Sequence, residues 1–351
     1  MLTTLKRLGG ESAPDFKARL VTICGLLTLL NIGAWLWALV AFHSQPALLG
    51  IALLIYGLGL RHAVDADHIA AIDNVTRKLM QMKQRPVAVG FFFAMGHATI
   101  VVVVAALVAS AATFLARFQS FHAIGSTLST GISALFLLAI AAMNIVIFIG
   151  VYRNYRRVRT GGTYVEADLD LLLNNSGLLS RIFRPLFKLV TKSRHMFLLG
   201  LLFGLGFDTA TEVAMFSVSA SQAANGMALA TLTVLPVLFA AGMALVDTID
   251  GVMMLGAYEW AFVKPIRKLY YNMTITLVSV VVAVFIGGIE AFGLIADKLA
   301  LKGGFWDAVA VLNENFNNLG FAIIGVFVAA WALSYAVYKA KRLDALDIGS
   351  T

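Results

Sequence analysis

The sequence predicts an all-α, polytopic integral membrane protein of about eight transmembrane helices with both termini cytoplasmic. Composition is the first reason: of 351 residues, 60% are hydrophobic and 13% charged, and mean hydropathy is +0.85, a balance that soluble domains do not show. The second is a series of apolar stretches, each close to the roughly 20 residues needed to cross a bilayer. The third is an uneven distribution of Lys and Arg between alternate connections, the asymmetry that sets orientation.

In chain order the spans fall at 20–42, 47–71, 87–116, 131–152, 196–220, 226–256, 272–296 and 318–338. The first is too long for a signal-peptide core and is read as a retained span. It holds the single cysteine, Cys24, which indicates nothing about disulfides. Basic residues gather in the N-terminal segment (Lys6, Arg7, Lys17, Arg19) and in the connection carrying Arg77, Lys78, Lys83 and Arg85. More occupy the long connection 153–195, the connection with Lys264, Arg267 and Lys268, and the C-terminal tail. The opposite side holds Arg117, Lys298 and Lys302, and Arg61 lies inside a span. The net charge of +8 is therefore topological, and no nucleic-acid partner is expected.

Residues 1–351 form one transmembrane domain, in which the connection 153–195 separates four spans (1–152) from four more (196–351). Within that connection GLLSRIFRPLFKLVTK, residues 177–192, interleaves apolar pairs with Arg181, Arg184 and Lys188. Such spacing predicts an amphipathic helix on the membrane surface; a solvated linker is the plainer reading. Because each half has an even number of spans, any repeat between them is parallel rather than inverted.

The placement of charge inside the spans is the most discriminating feature. They contain Asp65, Asp67, Asp208, Glu212, Asp247, Asp250 and Glu290, against Arg61 as the one fixed positive charge. At about 2.5–3.5 kcal/mol per central charge, seven ionised carboxylates facing lipid would cost on the order of 20 kcal/mol. They must face the interior, be protonated or meet cations, and a transported divalent ion meets several at once.

The densest cluster is RHAVDADHIAAIDN, residues 61–74, continuing straight out of an apolar run. Imidazole and carboxylate suit a divalent transition metal. At 100° per residue, a straight helix gathers His62, Asp65 and His68 on one face and turns Asp67 away. If Asp67 is a ligand too, the helix must bend, and Gly57 and Gly59 make bending cheap. A polar network that merely joins helices is the alternative, and two His and two Asp within seven residues are more than such a network needs.

The third span adds FFFAMGHATIVV, in which Gly96 permits close helix approach and His97 neighbours Thr99. His97 alone reads as an ordinary interior histidine. In the fifth span, LGFDTATEV places Asp208 and Glu212 four residues apart on one face with Thr209 and Thr211 nearby. In the sixth, GMALVDTIDG places Asp247 and Asp250 three apart beside Thr248. Each acidic pair either touches an ion or bridges helices. His43 and His122 fall in external turns and His195 ends the cytoplasmic connection; all three read as surface residues.

On these residues the chain resembles the nickel/cobalt transporter (NiCoT) family of high-affinity permeases. The family signature of His, four residues, then Asp-His is matched by His62, Asp67 and His68 in RHAVDADH. FFFAMGHATIVV at 91–102, LGFDTATE at 205–212 and GMALVDTIDG at 242–251 match its other signatures, and LNENFNNLGFAIIG at 312–325 is also similar. The resemblance covers most of the chain. It implies a multi-pass permease of the cell inner (cytoplasmic) membrane that takes up Ni(II), Co(II) or both. His62, His68 and His97 would supply nitrogen ligands, with Asp65 or Asp67 completing the site. Asp73, Thr99, Asp208, Thr209, Thr211, Glu212, Asp247, Thr248 and Asp250 would line the path or support the ligands.

The metal is then substrate, no resident cofactor is expected, and the partners are the ion and the lipid bilayer. Nothing resembling GxxxxGK[ST] occurs in the chain, which argues against direct ATP coupling, and no ATPase subunit is implied. Two alternatives remain at this stage: a permease for Zn(II) or Mn(II), which ligand chemistry alone leaves open, and a membrane metalloenzyme such as a di-iron hydroxylase, which needs more histidines than this chain offers. On the transporter reading the protein is not an enzyme.

Overall fold

Backbone at bilayer depth has no water to bond with, so a crossing segment must satisfy its own amides and carbonyls. The computed structural model meets that demand with helices. It describes residues 16–82, 84–110, 114–159, 190–205, 210–224, 226–261 and 265–340, and no strand occurs among them. In order the helices are α1 Phe16–Ala41, α2 Pro46–His62, α3 Ala66–Gln81, α4 Val89–Ser110, α5 Phe114–Arg159 and, after a single turn at Ser193–His195, α6 Met196–Phe203. Then come α7 Ala210–Ala224, the short α8 Leu229–Leu232, α9 Val234–Ala261, α10 Pro265–Leu299, α11 Gly304–Glu314 and α12 Phe316–Ala340.

Among the described residues, five stretches are long and apolar enough to cross a membrane: Phe16–Ala41, Val89–Leu107, Ser126–Gly150, Ala230–Ala257 and Thr276–Leu299. A sixth arises if α2 and α3, bent by 51°, count as one broken span. The other two predicted spans look different. The fifth divides into α6 and α7 around residues 206–209, which lie outside the described residues, and the eighth contains the shorter apolar helix Asn318–Ala330. The turn expected to carry residue 122 is helical, within α5. Of the amphipathic segment 177–192, only 190–192 fall within the described residues.

The surface is apolar, as a lipid-facing surface must be: Leu29, Val40, Leu53, Leu198 and Leu333 are exposed. The interior holds the polar groups. Two apolar clusters organise the packing. One joins α1, α2, α4, α6, α7 and α9 to one face of α3, and the other joins α5, α10 and α12 to another face of α3. Helix α9 packs against α1, α2, α3 and α4, while α5 runs along α10. Helix α3 therefore stands between the two bodies.

The break between α2 and α3 falls at 63–65, not at the glycines. Asp65 is the N-cap residue of α3, with extended backbone at φ −64°, ψ 145°, a position that favours Asp. Gly59 stays inside α2, where a Cβ would strike the Phe239 carbonyl of α9. A second departure from expectation concerns Arg77 and Lys78, placed by hydropathy in a connection. Both lie on α3 and are buried at 1% and 2% exposure; Lys78 Nζ donates to the Val190 carbonyl, a partner distant in the chain that the apolar pattern cannot anticipate.

Candidate metal centre

Three imidazoles meet at the broken helix. His62 ends α2, His68 lies in the first turn of α3, and His97 comes from the middle of α4. All are buried. Their ring centroids are 4.7 Å (His62–His68), 4.9 Å (His62–His97) and 5.0 Å (His68–His97) apart. One ring nitrogen from each lies within 4.8 Å of the others. Phe93 stands edge-on to His68 at 4.8 Å and Phe239 lies 5.5 Å from His62, so apolar walls flank the cluster.

Carboxylates orient the rings. His62 Nδ1 donates to Asp65 Oδ2 at 2.8 Å, and Thr211 Oγ1 lies 3.3 Å from the same nitrogen. His68 Nδ1 donates to Asp247, with 3.2 and 3.3 Å to its two oxygens. A carboxylate oxygen accepts only, so these bonds place the hydrogen on Nδ1 and the lone pair on Nε2. Carboxylate–histidine pairs of this kind fix the tautomer and raise the basicity of metal-ligating imidazoles.

His62 and His97 meet through their Nε2 atoms. His62 Nε2 and His97 Nε2 are 3.2 Å apart, and Glu212 Oε1 sits 2.9 Å from His97 Nε2 and 3.7 Å from His62 Nε2. His68 Nε2 is buried without a hydrogen-bond partner, as is His97 Nδ1. Metal–nitrogen bonds of about 2.0–2.1 Å, meeting at tetrahedral to square angles, put ligand nitrogens about 2.9–3.4 Å apart. The His62–His97 spacing fits that range; the hydrogen that His97 Nε2 donates to Glu212 Oε1 must leave for that nitrogen to bind an ion, and Glu212 Oε1 offers an oxygen ligand beside it.

Small residues set the helix spacing that makes this possible. In a membrane, helices associate through close packing of backbones rather than through the hydrophobic effect. Gly96, the residue before His97, and Gly200 of α6 form a reciprocal contact: a Cβ on the first would strike the Phe197 carbonyl, and one on the second the Phe93 carbonyl. Gly90 of α4 leaves room in the same way for the Asp247 carbonyl of α9. The helices that carry His97 and Asp247 are thus held at backbone contact.

The other residues singled out from sequence are dispersed. Asp67 is partly buried in the first turn of α3. Asp73 is buried but turned toward α10, where its Oδ2 accepts from Ser279 Oγ at 2.8 Å. Thr99 is exposed and bonds back to the Met95 carbonyl of its own helix. Thr248 is buried and bonds to Ala244 in the same manner. Asp250 is partly buried, and its Oδ2 has no hydrogen-bond partner. Asp208 and Thr209 lie outside the described residues. Glu290 stands apart from the histidines, accepting from Ser133 of α5. His43 is exposed, with Nδ1 on the Val40 carbonyl; His195 Nδ1 accepts from the Thr191 amide. Spacing gave no notice of Phe93 as a wall of the site, although its place four residues before His97 puts both on one face of α4.

A helical bundle with apolar outer surfaces defines a multi-pass membrane protein, and its buried histidine–carboxylate cluster is compatible with a metal site. Residues 48–337 match the family described as high-affinity nickel-transport protein, and the chain belongs to that family of transporters. It is 57% identical over 333 residues to a high-affinity nickel transport protein of Cupriavidus necator, covering 95% of each chain. It is 41% identical over 320 residues to the nickel transporter NixA of Staphylococcus aureus, covering 91% of this chain and 94% of that one. Similarity extends to the cobalt transport protein NhlF of Rhodococcus rhodochrous, at 37% over 350 residues, with 97% and 98% covered. No solved structure matches the chain.

Proposed function

We propose that this chain carries Ni(II), Co(II) or both into the cytoplasm, as a secondary permease of the cell inner membrane with the histidine centre as its ion-binding site. The observation that carries the proposal is the orientation of the rings: Asp65 and Asp247 occupy Nδ1 of His62 and His68, His68 Nε2 is left without a hydrogen-bond partner, and the His68 ring lies within 5.0 Å of the two rings whose Nε2 atoms meet beside Glu212. Nitrogen-rich sites favour the later first-row divalent ions over hard cations such as Mg(II), which prefer oxygen. Glu212 then supplies the oxygen ligand, while Asp65 acts through His62 rather than on the ion. The names of the relatives from Cupriavidus and Rhodococcus support nickel and cobalt as the cargo.

A dication drawn inward by the membrane potential gains about 4.6 kcal/mol per 100 mV, twice the value for one charge. That drives accumulation by more than three orders of magnitude without ATP. The test is accumulation of radiolabelled nickel by cells expressing the chain, with cobalt, zinc or manganese as competitor. Saturable uptake suppressed most by cobalt, and lost in His62→Ala at an unchanged amount of protein in the membrane, is the expected result. Undiminished uptake by that variant sinks the assignment.

A further inference from the structure

Beyond the histidines, α3 carries a charge of the wrong sign for a cation path. Arg77 is 1% exposed. Its guanidinium Nη2 donates to Asn74 Oδ1 at 3.3 Å, on an oxygen that Asn144 Nδ2 of α5 already engages at 2.7 Å. Nε and Nη1 have no hydrogen-bond partner. Guanidinium groups keep their charge in proteins. An ionised group with so few hydrogen bonds inside a membrane bundle is expensive and marks function more often than architecture.

Its position gives that charge a direction in which to act. Arg77 follows Asp73 by four residues, so the two share a face of α3, yet Asp73 is engaged by Ser279 of α10. With a rise of 1.5 Å per residue, Arg77 stands about 13 Å along the helix from His68. Around the histidines lie Asp65, Asp247 and Glu212, a set of carboxylates that would bind a dication tightly and release it slowly.

We infer that Arg77 is an electrostatic release residue, a fixed positive charge beyond the histidine centre that weakens its hold on the dication and speeds departure. The inference rests on the transport reading above. Nine residues also turn Arg77 to the face of α3 opposite His68; at an effective dielectric near 20, a unit charge roughly 13–20 Å from a dication changes its affinity by roughly ten- to a hundredfold before screening by salt. The charge acts through space, so Arg77 needs no contact with the ion.

The experiment pairs equilibrium nickel binding by the purified, detergent-solubilised protein with initial rates of nickel uptake by cells. Arg77→Gln is expected to bind nickel about tenfold more tightly and to take it up at a lower maximal rate. Arg77→Lys, which keeps the charge, should behave as wild type. Asn74→Asp provides a second route, because it sets a carboxylate against the guanidinium and cancels its charge while Arg77 stays in place; it carries the test if Arg77→Gln fails to fold. Binding no tighter than wild type in the folded neutralised variants overturns the inference, since a merely structural role weakens binding. Should wild type itself neither bind nor accumulate nickel, the transport reading fails instead.

Discussion

Replacing Asp247 by Asn separates orientation of a ligand from ligation itself. Asp247 is fully buried and faces His68 Nδ1 with both oxygens, at 3.2 and 3.3 Å. Asparagine keeps the volume but removes the negative charge, and its amide can turn a donor toward the ring. The two distances are long for a charge-assisted bond, so the bond orients His68 more than it strengthens it. Loss of such an outer partner lowers metal affinity by about 10- to 100-fold, or about 1.4–2.8 kcal/mol. The arrangement places Asp247 toward the lower half of that range. Competition for nickel against a chromophoric chelator, with purified protein, measures it directly. Expected is a dissociation constant raised about 10- to 30-fold, with a stoichiometry of one retained. Unchanged affinity shows that His68 is not held by Asp247; complete loss of binding shows that Asp247 is itself a ligand. Either result refutes the reasoning.

Two further outcomes follow from packing. Gly96→Ala forces α4 and α6 apart and should destabilise the folded protein by about 1–3 kcal/mol as an overpacked contact, lowering its thermal midpoint in detergent; nickel binding should weaken as well, because His97 is the next residue. Thr99→Ala removes a hydroxyl that bonds only within α4, so stability should stay within about 0.5 kcal/mol and nickel uptake should match wild type; a loss of uptake there places the path on the outer face of α4.

What sequence could and could not reveal follows from the range of each interaction. Apolar runs announce helices because lipid imposes the same demand on every crossing segment, and α1, α4, α9 and α10 overlap the stretches that hydropathy marks. The sequence places the bend at Gly57 and Gly59, but both lie within α2 and the break comes at 63–65, where the Asp65 carboxylate turns back to His62 Nδ1 rather than capping α3. The second half of α3 misleads a hydropathy reading: Asn74, Arg77 and Lys78 look like a solvated connection, and their burial depends on Asn144 and the Val190 carbonyl, far away in the chain. The meeting of His97 with His62 and His68 likewise depends on glycine contacts between helices, which no spacing along one helix encodes. Asp65 and Asp247 presented themselves as carboxylates near an ion, and only the geometry distinguishes the Nδ1 side of a ring from its Nε2 side.

The interruption between α2 and α3 also has an electrical consequence. A helix that ends at the imidazoles brings its final carbonyls there, equivalent to roughly half a negative charge, while the helix that begins beside it brings amides of the opposite sign. Asp67, in the first turn of α3, offsets the positive end and leaves the carbonyl end of α2 to act on whatever the histidines hold. That attraction is built from peptide dipoles and does not titrate. On the proposed transport reading, the bundle would then keep some preference for a cation at this depth even when a nearby carboxylate takes up a proton.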